Sequence, residues 1–181
     1  MGSLFWITGL SGAGKTTIAG ELYKILQKKE SNVILLDGDE LRKIFGVSGA
    51  YSAEERLNLA LQYSRLCKFL TEQDIDVVCG TLSMFHVCHR WNRENIAQYR
   101  EIYLKVPMEV LRKRDPKRIY SRAEKGELKN VMGIDIPFEE PQNPDMIINN
   151  DGGQSPDILA RSIYERFFET TQEFSIGELT A

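Results

Sequence analysis

The stretch GLSGAGKTT, residues 9–17, follows the apolar run LFWIT and precedes the amphipathic stretch IAGELYKILQ. It matches the pattern G-x-x-x-x-G-K-[ST], in which glycines let successive N–H groups point inward at phosphate oxygens. The lysine of this pattern reaches the β- and γ-phosphates, its hydroxyl residue ligates Mg²⁺, and the helix dipole adds positive charge. We therefore predict a nucleoside triphosphate site with Mg²⁺ on Thr16. Its residues are Gly9, Ser11, Gly12, Ala13, Gly14, Lys15, Thr16 and Thr17.

Short apolar runs alternate with longer amphipathic stretches along the rest of the chain. This alternation predicts one α/β domain, residues 1–181, with a five-stranded parallel sheet between two helical layers, the P-loop NTPase fold. The predicted strands are 4–8, 33–36, 77–79, 102–106 and 146–148, and the predicted helices are 15–29, 53–73, 108–114 and 156–172. Residues 115–145 are polar and rich in Pro and Gly, which indicates a lid over the site or, alternatively, a solvated surface excursion.

The overall composition excludes several classes of partner. A net charge of -3 provides no global basic field for nucleic acid, and no run approaches the roughly 18 apolar residues that span a bilayer. The three cysteines form no CxxC pair, so we expect a reducing, cytoplasmic compartment and no membrane partner. Cys67 and Cys79 stand in apolar surroundings and are expected in the core, whereas Cys88 could be exposed.

Other users of this loop fit the sequence less well. The guanine-specific NKxD is absent, since INND at 148–151 lacks the lysine, and DVVCG at 76–80 lacks the acidic pair of a motor ATPase. A small-molecule kinase therefore leads. A nucleoside monophosphate kinase and a catalytically silent nucleotide sensor remain as alternatives, although a sensor usually loses the loop lysine or the paired aspartates.

The run VILLDGDELR, residues 33–42, ends the second predicted strand with two aspartates. Side chains at i and i+2 point the same way from a strand, so Asp37 and Asp39 can both face the phosphate loop. One could hold the Mg²⁺ shell through water, here assigned to Asp37, while the other accepts the proton of an attacking hydroxyl. Which of the two is the base stays open. Arg42, on the following helix, could bind an anionic group of the acceptor.

These motifs, together with YSAEER at 51–56 and the series RDPK, GE-KNVMGID and PFEEPQNPD within 114–145, resemble the adenylylsulfate kinase family. The resemblance implies transfer of the γ-phosphoryl of MgATP to the ribose 3'-hydroxyl of a nucleotide-activated small anion, under a lid and commonly in a homodimer. It makes Lys15, Asp37 and Asp39 the catalytic residues and adds Arg114 to the ATP site. It assigns the acceptor to Asp39, Arg42, Tyr51, Arg56, Ser83, His86, Lys117, Lys129 and Val131.

Four departures from the family pattern all fall on the acceptor side. The arginines expected after Arg56 are missing, Phe-Ile-Ser-Pro-x-Arg has become TLSMFH at 81–86, a lid phenylalanine aligns with Val131, and Gly-Leu-Tyr has become Arg118-Ile119-Tyr120. Loss of one stacking face and of positive charge weakens the case for adenylylsulfate. These changes favour a smaller pyrimidine base. The resemblance then implies cytidine diphosphoramidate, used in capsule biosynthesis, as acceptor, with adenylylsulfate (sulfate assimilation) or another activated nucleotide as the alternative.

Overall fold

The computed structural model describes residues 1–29, 32–47 and 52–169. Its five strands form one sheet in the order β2-β3-β1-β4-β5, and every neighbouring pair is parallel. The strands are β1 Leu4–Thr8, β2 Val33–Asp37, β3 Asp76–Gly80, β4 Tyr99–Lys105 and β5 Met146–Asn149. The predicted α/β fold is thereby confirmed.

Helices cover both faces of this sheet. α1 packs against α7 on one face, and α3 packs against α4 on the other. The helices are α1 Lys15–Lys28, α2 Gly38–Ile44, α3 Ala53–Thr71, α4 His86–Asn95, α5 Met108–Arg114, α6 Ile119–Glu124 and α7 Pro156–Tyr164, which continues into a π-helical turn, Glu165–Glu169. Among the described residues, no helix is long and apolar enough to cross a membrane.

The central strand β1, residues 4–8, lies in the core of the domain. All five residues of β1 are buried, as expected for a parallel strand covered on both faces. Phe5 packs on Phe167 and Phe168 of the π-helical turn, at ring-centroid distances of 6.0 and 5.7 Å. The glycine-rich loop thus begins directly after a strand that is buried in the core.

Several boundaries differ from those predicted. β4 begins at Tyr99 rather than at residue 102, because Tyr99–Glu101 continue the pairing with β1. The last α-helix ends at Tyr164 and gives way to the π-helical turn, while residues 170–172 lie outside the described part. Cys88 is buried rather than exposed, since the inner face of α4 packs it against Ser64, with the two side-chain atoms 3.3 Å apart.

Residues 115–145 are not a solvated excursion. The segment contains α6, and its side chains of Tyr120, Val131, Met132 and Ile136 are buried. Its far end is fixed to the domain, because the Glu139 N–H donates to the Met84 carbonyl at 3.1 Å. The segment therefore forms a packed wall over the carboxyl edge of the sheet.

Candidate active site

A cavity of about 1150 Å³ opens at the carboxyl ends of the central strands, the edge at which open α/β sheets bind ligands. The glycine-rich loop forms its floor, α2 forms one side and the segment 116–132 forms the other. Of the predicted site residues, the cavity is lined by Ser11, Gly12, Gly14, Lys15, Thr16, Thr17, Asp37, Asp39, Arg42, Arg56, Arg114, Lys117, Lys129 and Val131.

The glycines of the loop adopt backbone conformations that other residues rarely adopt. Gly12 has φ 78° and Gly14 has φ 95°, which lie in the left-handed region. A Cβ on Gly14 would also lie only 2.7 Å from the side-chain nitrogen of Asn150. Gly12 is thus required by its backbone conformation, and Gly14 by both backbone conformation and close packing. Gly9 and Ala13 lie behind this surface, since neither lines the cavity.

Lys15 begins α1, and its Nζ donates to the Leu10 carbonyl at 2.8 Å. Desolvation, and next the nearby Lys117, lower the pKa of Lys15 to about 7, while Asp37 opposes the shift. A bound polyphosphate would supply the negative charge that this ammonium lacks. The loop is therefore suited to an anionic ligand.

The two aspartates hold different positions. Asp37 ends β2, where one oxygen accepts the Thr16 hydroxyl at 2.6 Å and the other accepts the N–H groups of Asp39 at 2.8 Å and Glu40 at 3.4 Å. Asp39 lies in the first turn of α2 and not on the strand. The strand-alternation argument for the pair was therefore wrong, because Asp37 caps the helix and ends the strand.

The residues at Thr16 and Asp37 fit a magnesium ion. Mg²⁺ bound beside a triphosphate keeps several waters and takes only one or two protein oxygens, and the hydrogen-bonded Thr16 hydroxyl and Asp37 carboxylate offer that arrangement. No cluster of three or more His, Cys, Asp or Glu that could hold a metal occurs in the described residues. His86 and His89, three positions apart on α4, accordingly form no metal centre there.

Cationic side chains meet Asp39 across the cavity. Asp39 pairs with Arg42 from its own helix and with Lys117 from the opposite side. Arg56 on α3 donates to the Asn130 carbonyl at 2.8 Å and so supports the wall that carries Lys129 and Val131.

The wall itself is held by Asp135. Its carboxylate accepts the N–H groups of Asn130, at 2.6 Å, and of Val131, at 2.5 Å. Desolvation raises the pKa of Asp135, but these hydrogen bonds act against it and the pKa lies below its ordinary value. The aliphatic Val131 side chain, only 5% exposed, is thus fixed where it borders the cavity.

Two of the described residues predicted to bind the acceptor do not line the cavity. Ser83 is fully buried and does not line it, and the Ser83 carbonyl bonds to Nε2 of His89 at 2.6 Å. His86 does not line it either, because its N–H donates to Glu139 at 2.6 Å and its Nε2 lies 2.8 Å from the Glu140 carbonyl. Tyr51 lies outside the described residues.

Two side chains that contact the phosphate loop were missed. The hydroxyl of Tyr120 on α6 donates to the Ser11 carbonyl at 2.8 Å, and the Asn150 amide donates to the Ala13 carbonyl at 2.9 Å. Arg114 reaches the Gly12 carbonyl at 3.4 Å. A signal for Asn150 existed, since a polar residue directly after a parallel strand lies at the same sheet edge as the loop after β1.

Comparison with known proteins identifies relatives along most of the chain. Residues 1–149 match the family model described as adenylylsulphate kinase. A cytidine diphosphoramidate kinase of Campylobacter jejuni is 44% identical over 147 residues, covering 81% of this chain and 85% of that protein. An adenylyl-sulfate kinase of Halothermothrix orenii is 39% identical over 150 residues, covering 83% and 81%.

Solved structures agree with these matches. The APS kinase of Mycobacterium tuberculosis, in complex with AMPPNP and APS, superposes with a TM-score of 0.84 at 28% identity, covering 91% of this chain and 96% of that chain. A shikimate kinase of Acinetobacter baumannii superposes with a TM-score of 0.60 at 16% identity, covering 95% and 96%, and shares the fold. This chain belongs to the adenylylsulphate kinase family.

Proposed function

We propose that this chain transfers the γ-phosphoryl group of MgATP to the ribose 3'-hydroxyl of cytidine diphosphoramidate. The observation that carries the proposal is one cavity lined by six residues of the phosphate loop (Ser11, Gly12, Gly14, Lys15, Thr16 and Thr17), by Asp37 and Asp39, and by Arg42, Arg56 and Lys117. The 44% identity to a protein named cytidine diphosphoramidate kinase supports this choice of acceptor. The phosphate-loop lysine and both aspartates are present, which argues against a catalytically silent nucleotide sensor.

The ATP side of the proposal uses the loop and α1. The N–H groups at the start of α1 have no partner within the helix and suit a bound phosphate. Lys15 would leave the Leu10 carbonyl and neutralise charge on the γ-phosphoryl group. The Thr16 hydroxyl and, through water, Asp37 would hold Mg²⁺, which supplies electrostatic stabilisation of the transferred group when bound.

The acceptor side uses Asp39 as the base that receives or orients the hydroxyl proton. Both carboxylate oxygens of Asp37 already accept hydrogen bonds, one from Thr16 and the other from the start of α2. Asp39 instead contacts the cations Arg42 and Lys117. An anionic acceptor would draw those cations away and leave the carboxylate to meet the ribose hydroxyl. Arg56 and Lys129 would add positive charge beside the acceptor, and Tyr51 would stack on its base.

We infer the type of nucleobase in the acceptor from the wall near Val131. An aliphatic side chain gives one face of a stacked base less binding energy than an aromatic one, a loss of about 1–3 kcal/mol. This loss weighs against a purine. Adenylylsulfate stays the second candidate because the matching family model and several relatives carry that name.

We further propose that residues 1–181 form one kinase domain in which about 115–145 act as a lid that excludes water, since water would otherwise compete with the acceptor. The described helices and strands around one sheet support a single domain. The three free, buried cysteines fit a reducing cytoplasm. Assembly as a homodimer is part of the proposal, and light scattering after size-exclusion chromatography tests it.

A coupled ADP-release assay at fixed MgATP tests the acceptor. Cytidine diphosphoramidate and adenylylsulfate are offered in parallel, with cytidine diphosphate as the control that lacks the amide. We expect the larger kcat/KM for cytidine diphosphoramidate. A larger kcat/KM for adenylylsulfate would assign the enzyme to sulfate activation, and ADP release without any acceptor dependence would contradict transfer altogether.

A further inference from the structure

Five consecutive carbonyl groups of the phosphate loop, from Leu10 to Gly14, accept hydrogen bonds. The Leu10 carbonyl accepts from Lys15 and from the Ala13 N–H, and the Gly14 carbonyl accepts from the Ile18 N–H. The three carbonyls between them accept from side chains of distant segments: Ser11 from Tyr120, Gly12 from Arg114, and Ala13 from Asn150.

This arrangement controls where the loop N–H groups point. In a trans peptide the carbonyl and the following N–H point in opposite directions. A carbonyl of Ser11 held on the outside therefore turns the Gly12 N–H the other way, and a held Ala13 carbonyl does the same for the Gly14 N–H. Because Gly12 and Gly14 both line the cavity, the outer hydrogen bonds direct donors to the place of the phosphates.

We propose that Tyr120 and Asn150 are positioning residues that hold the phosphate-binding loop in its ligand-ready conformation. The inference rests on the proposed ATP site. Neither side chain lines the cavity, so each acts through the loop peptide that it holds rather than by touching the nucleotide.

Both side chains are themselves firmly held. Tyr120 is 1% exposed, and the Asp115 carboxylate accepts its N–H at 3.0 Å and that of Ser121 at 2.9 Å, which fixes the start of α6. The Asn150 N–H donates to the Lys105 carbonyl at 3.0 Å, which continues the β4–β5 ladder. Two separate elements, α6 and the end of β5, thus clamp one loop.

The contact of Tyr120 with the phosphate loop is separate from the wall on the acceptor side. α6 leads directly into residues 128–132, which line the acceptor side of the cavity. The hydroxyl itself joins only the phosphate loop to α6, because the wall at Asn130 and Val131 is held separately by Asp135 and Arg56.

The test uses two single substitutions, each with a matched control. Tyr120→Phe removes only the hydroxyl, and Tyr99→Phe does the same to a buried tyrosine that pairs with Leu4 at the opposite end of β1. Asn150→Ala removes the amide, and Asn149→Ala alters the exposed neighbour on β5. MgATP affinity is measured by calorimetry without acceptor, alongside the KM of each substrate and the melting temperature.

We expect Tyr120→Phe and Asn150→Ala each to weaken MgATP binding by about 3- to 10-fold, the usual effect of one net hydrogen bond. The acceptor KM should change by less than about twofold, as one hydrogen bond to the ATP loop leaves acceptor contacts in place. Affinities equal to those of the controls would overturn the inference, and so would parallel losses in ATP affinity, acceptor KM and melting temperature. Failure of the wild type to phosphorylate cytidine diphosphoramidate would overturn only the proposed acceptor.

Discussion

Asp39 is the residue on which the proposed chemistry depends. This proposed base lies among cationic side chains of the cavity. Its ion pairs with Arg42 and Lys117 neutralise it when no substrate is bound. Neither partner is deeply buried, with 27% of the Arg42 side chain and 53% of the Lys117 side chain exposed, so these pairs exchange at little cost. The same cations can then move to an anionic acceptor.

Asp39→Asn should lower kcat by at least about 100-fold, because it removes the group that accepts the hydroxyl proton. MgATP affinity should stay within a few-fold of wild type, since Asp37 and Thr16 keep their contacts. Single-turnover transfer and calorimetry check the two quantities, with Glu40→Gln, an exposed neighbour on α2, as the control. A large loss of MgATP affinity would instead assign Asp39 to the metal.

Val131→Phe should move acceptor preference toward adenylylsulfate. An aromatic face in place of the buried aliphatic one would raise the kcat/KM ratio of adenylylsulfate to cytidine diphosphoramidate by about tenfold. Ile147→Phe, which changes an exposed residue of β5, is the control. A ratio that does not move would show that selectivity is set elsewhere in the cavity.

Whether the role of a single residue could be predicted depends on how far apart in the sequence its contacts lie. The loop residues could be read directly because their function depends on a local backbone pattern. Tyr120 and Asn150 could not, since they meet the loop across 109 and 137 positions of the chain. The prediction for His86 was wrong for the same reason. The family resemblance gave only its place in the chain, whereas His86 contacts Glu139 and Glu140, which lie more than fifty residues away.

At the scale of elements, α4 and β4 meet at a buried contact between His89 and Glu101. Nε2 of His89 donates to the Ser83 carbonyl, and its Nδ1 lies 3.1 Å from Oε1 of Glu101. Desolvation lowers the pKa of His89 to about 4 and raises the pKa of Glu101. Both shifts favour a neutral pair.

Glu101 also holds the far end of the segment 115–145. Arg93 bridges Glu101 and Asp145, and Asp145 also accepts the Glu101 N–H at 2.7 Å. These polar contacts explain why the sequence indicated a lid but not its shape. Composition identifies a polar segment, whereas its attachment to α4 and β4 depends on contacts across tens of residues.

The pH dependence of stability should reveal this pair. Because the folded pKa of His89 lies near 4 and below its ordinary value, the unfolded chain binds more protons between about pH 4 and 6.5. The contribution of His89 is therefore full above about pH 6.5 and is lost as the pH falls toward 4. The raised pKa of Glu101 acts in the opposite sense, so a comparison with a variant isolates the histidine.

Denaturant unfolding of wild type and His89→Gln at a series of pH values makes that comparison. The stability of wild type relative to the variant should rise by up to about 3 kcal/mol from pH 4 to 6.5. A difference that is flat, or that falls with rising pH, would contradict a neutral buried His89.

At the scale of the whole molecule, the sheet was predictable because its strands are apolar runs with clear turn signals on both sides. The order β2-β3-β1-β4-β5 places the phosphate loop at the centre, flanked by the ends of β3 and β4. Ligand binding at this centre contacts α1, α2 and the segment after α5 together. Nucleotide should therefore stabilise the domain as one unit.

MgATP at about 100 times its dissociation constant should add about 2.7 kcal/mol to the free energy of unfolding. For a domain of this size, that corresponds to a rise in melting temperature of roughly 5–10 °C. Lys15→Ala should remove most of the rise and reduce phosphoryl transfer to a trace, because the loop loses its counter-charge. Scanning calorimetry and the transfer assay measure both, and more than about a tenth of wild-type turnover in Lys15→Ala would reject the assigned site.

The buried cysteines make the molecule a ready background for site-directed labelling. Cys67, Cys79 and Cys88 are each inaccessible, and burial raises the pKa of Cys88 to about 12 and also raises that of Cys79, so few reactive thiolates form near neutral pH. A single cysteine introduced at the exposed Lys125, just after α6, would therefore be the thiol that a maleimide dye reaches first. A fluorophore there would test the proposed closure of the segment 115–145 in the otherwise unaltered enzyme.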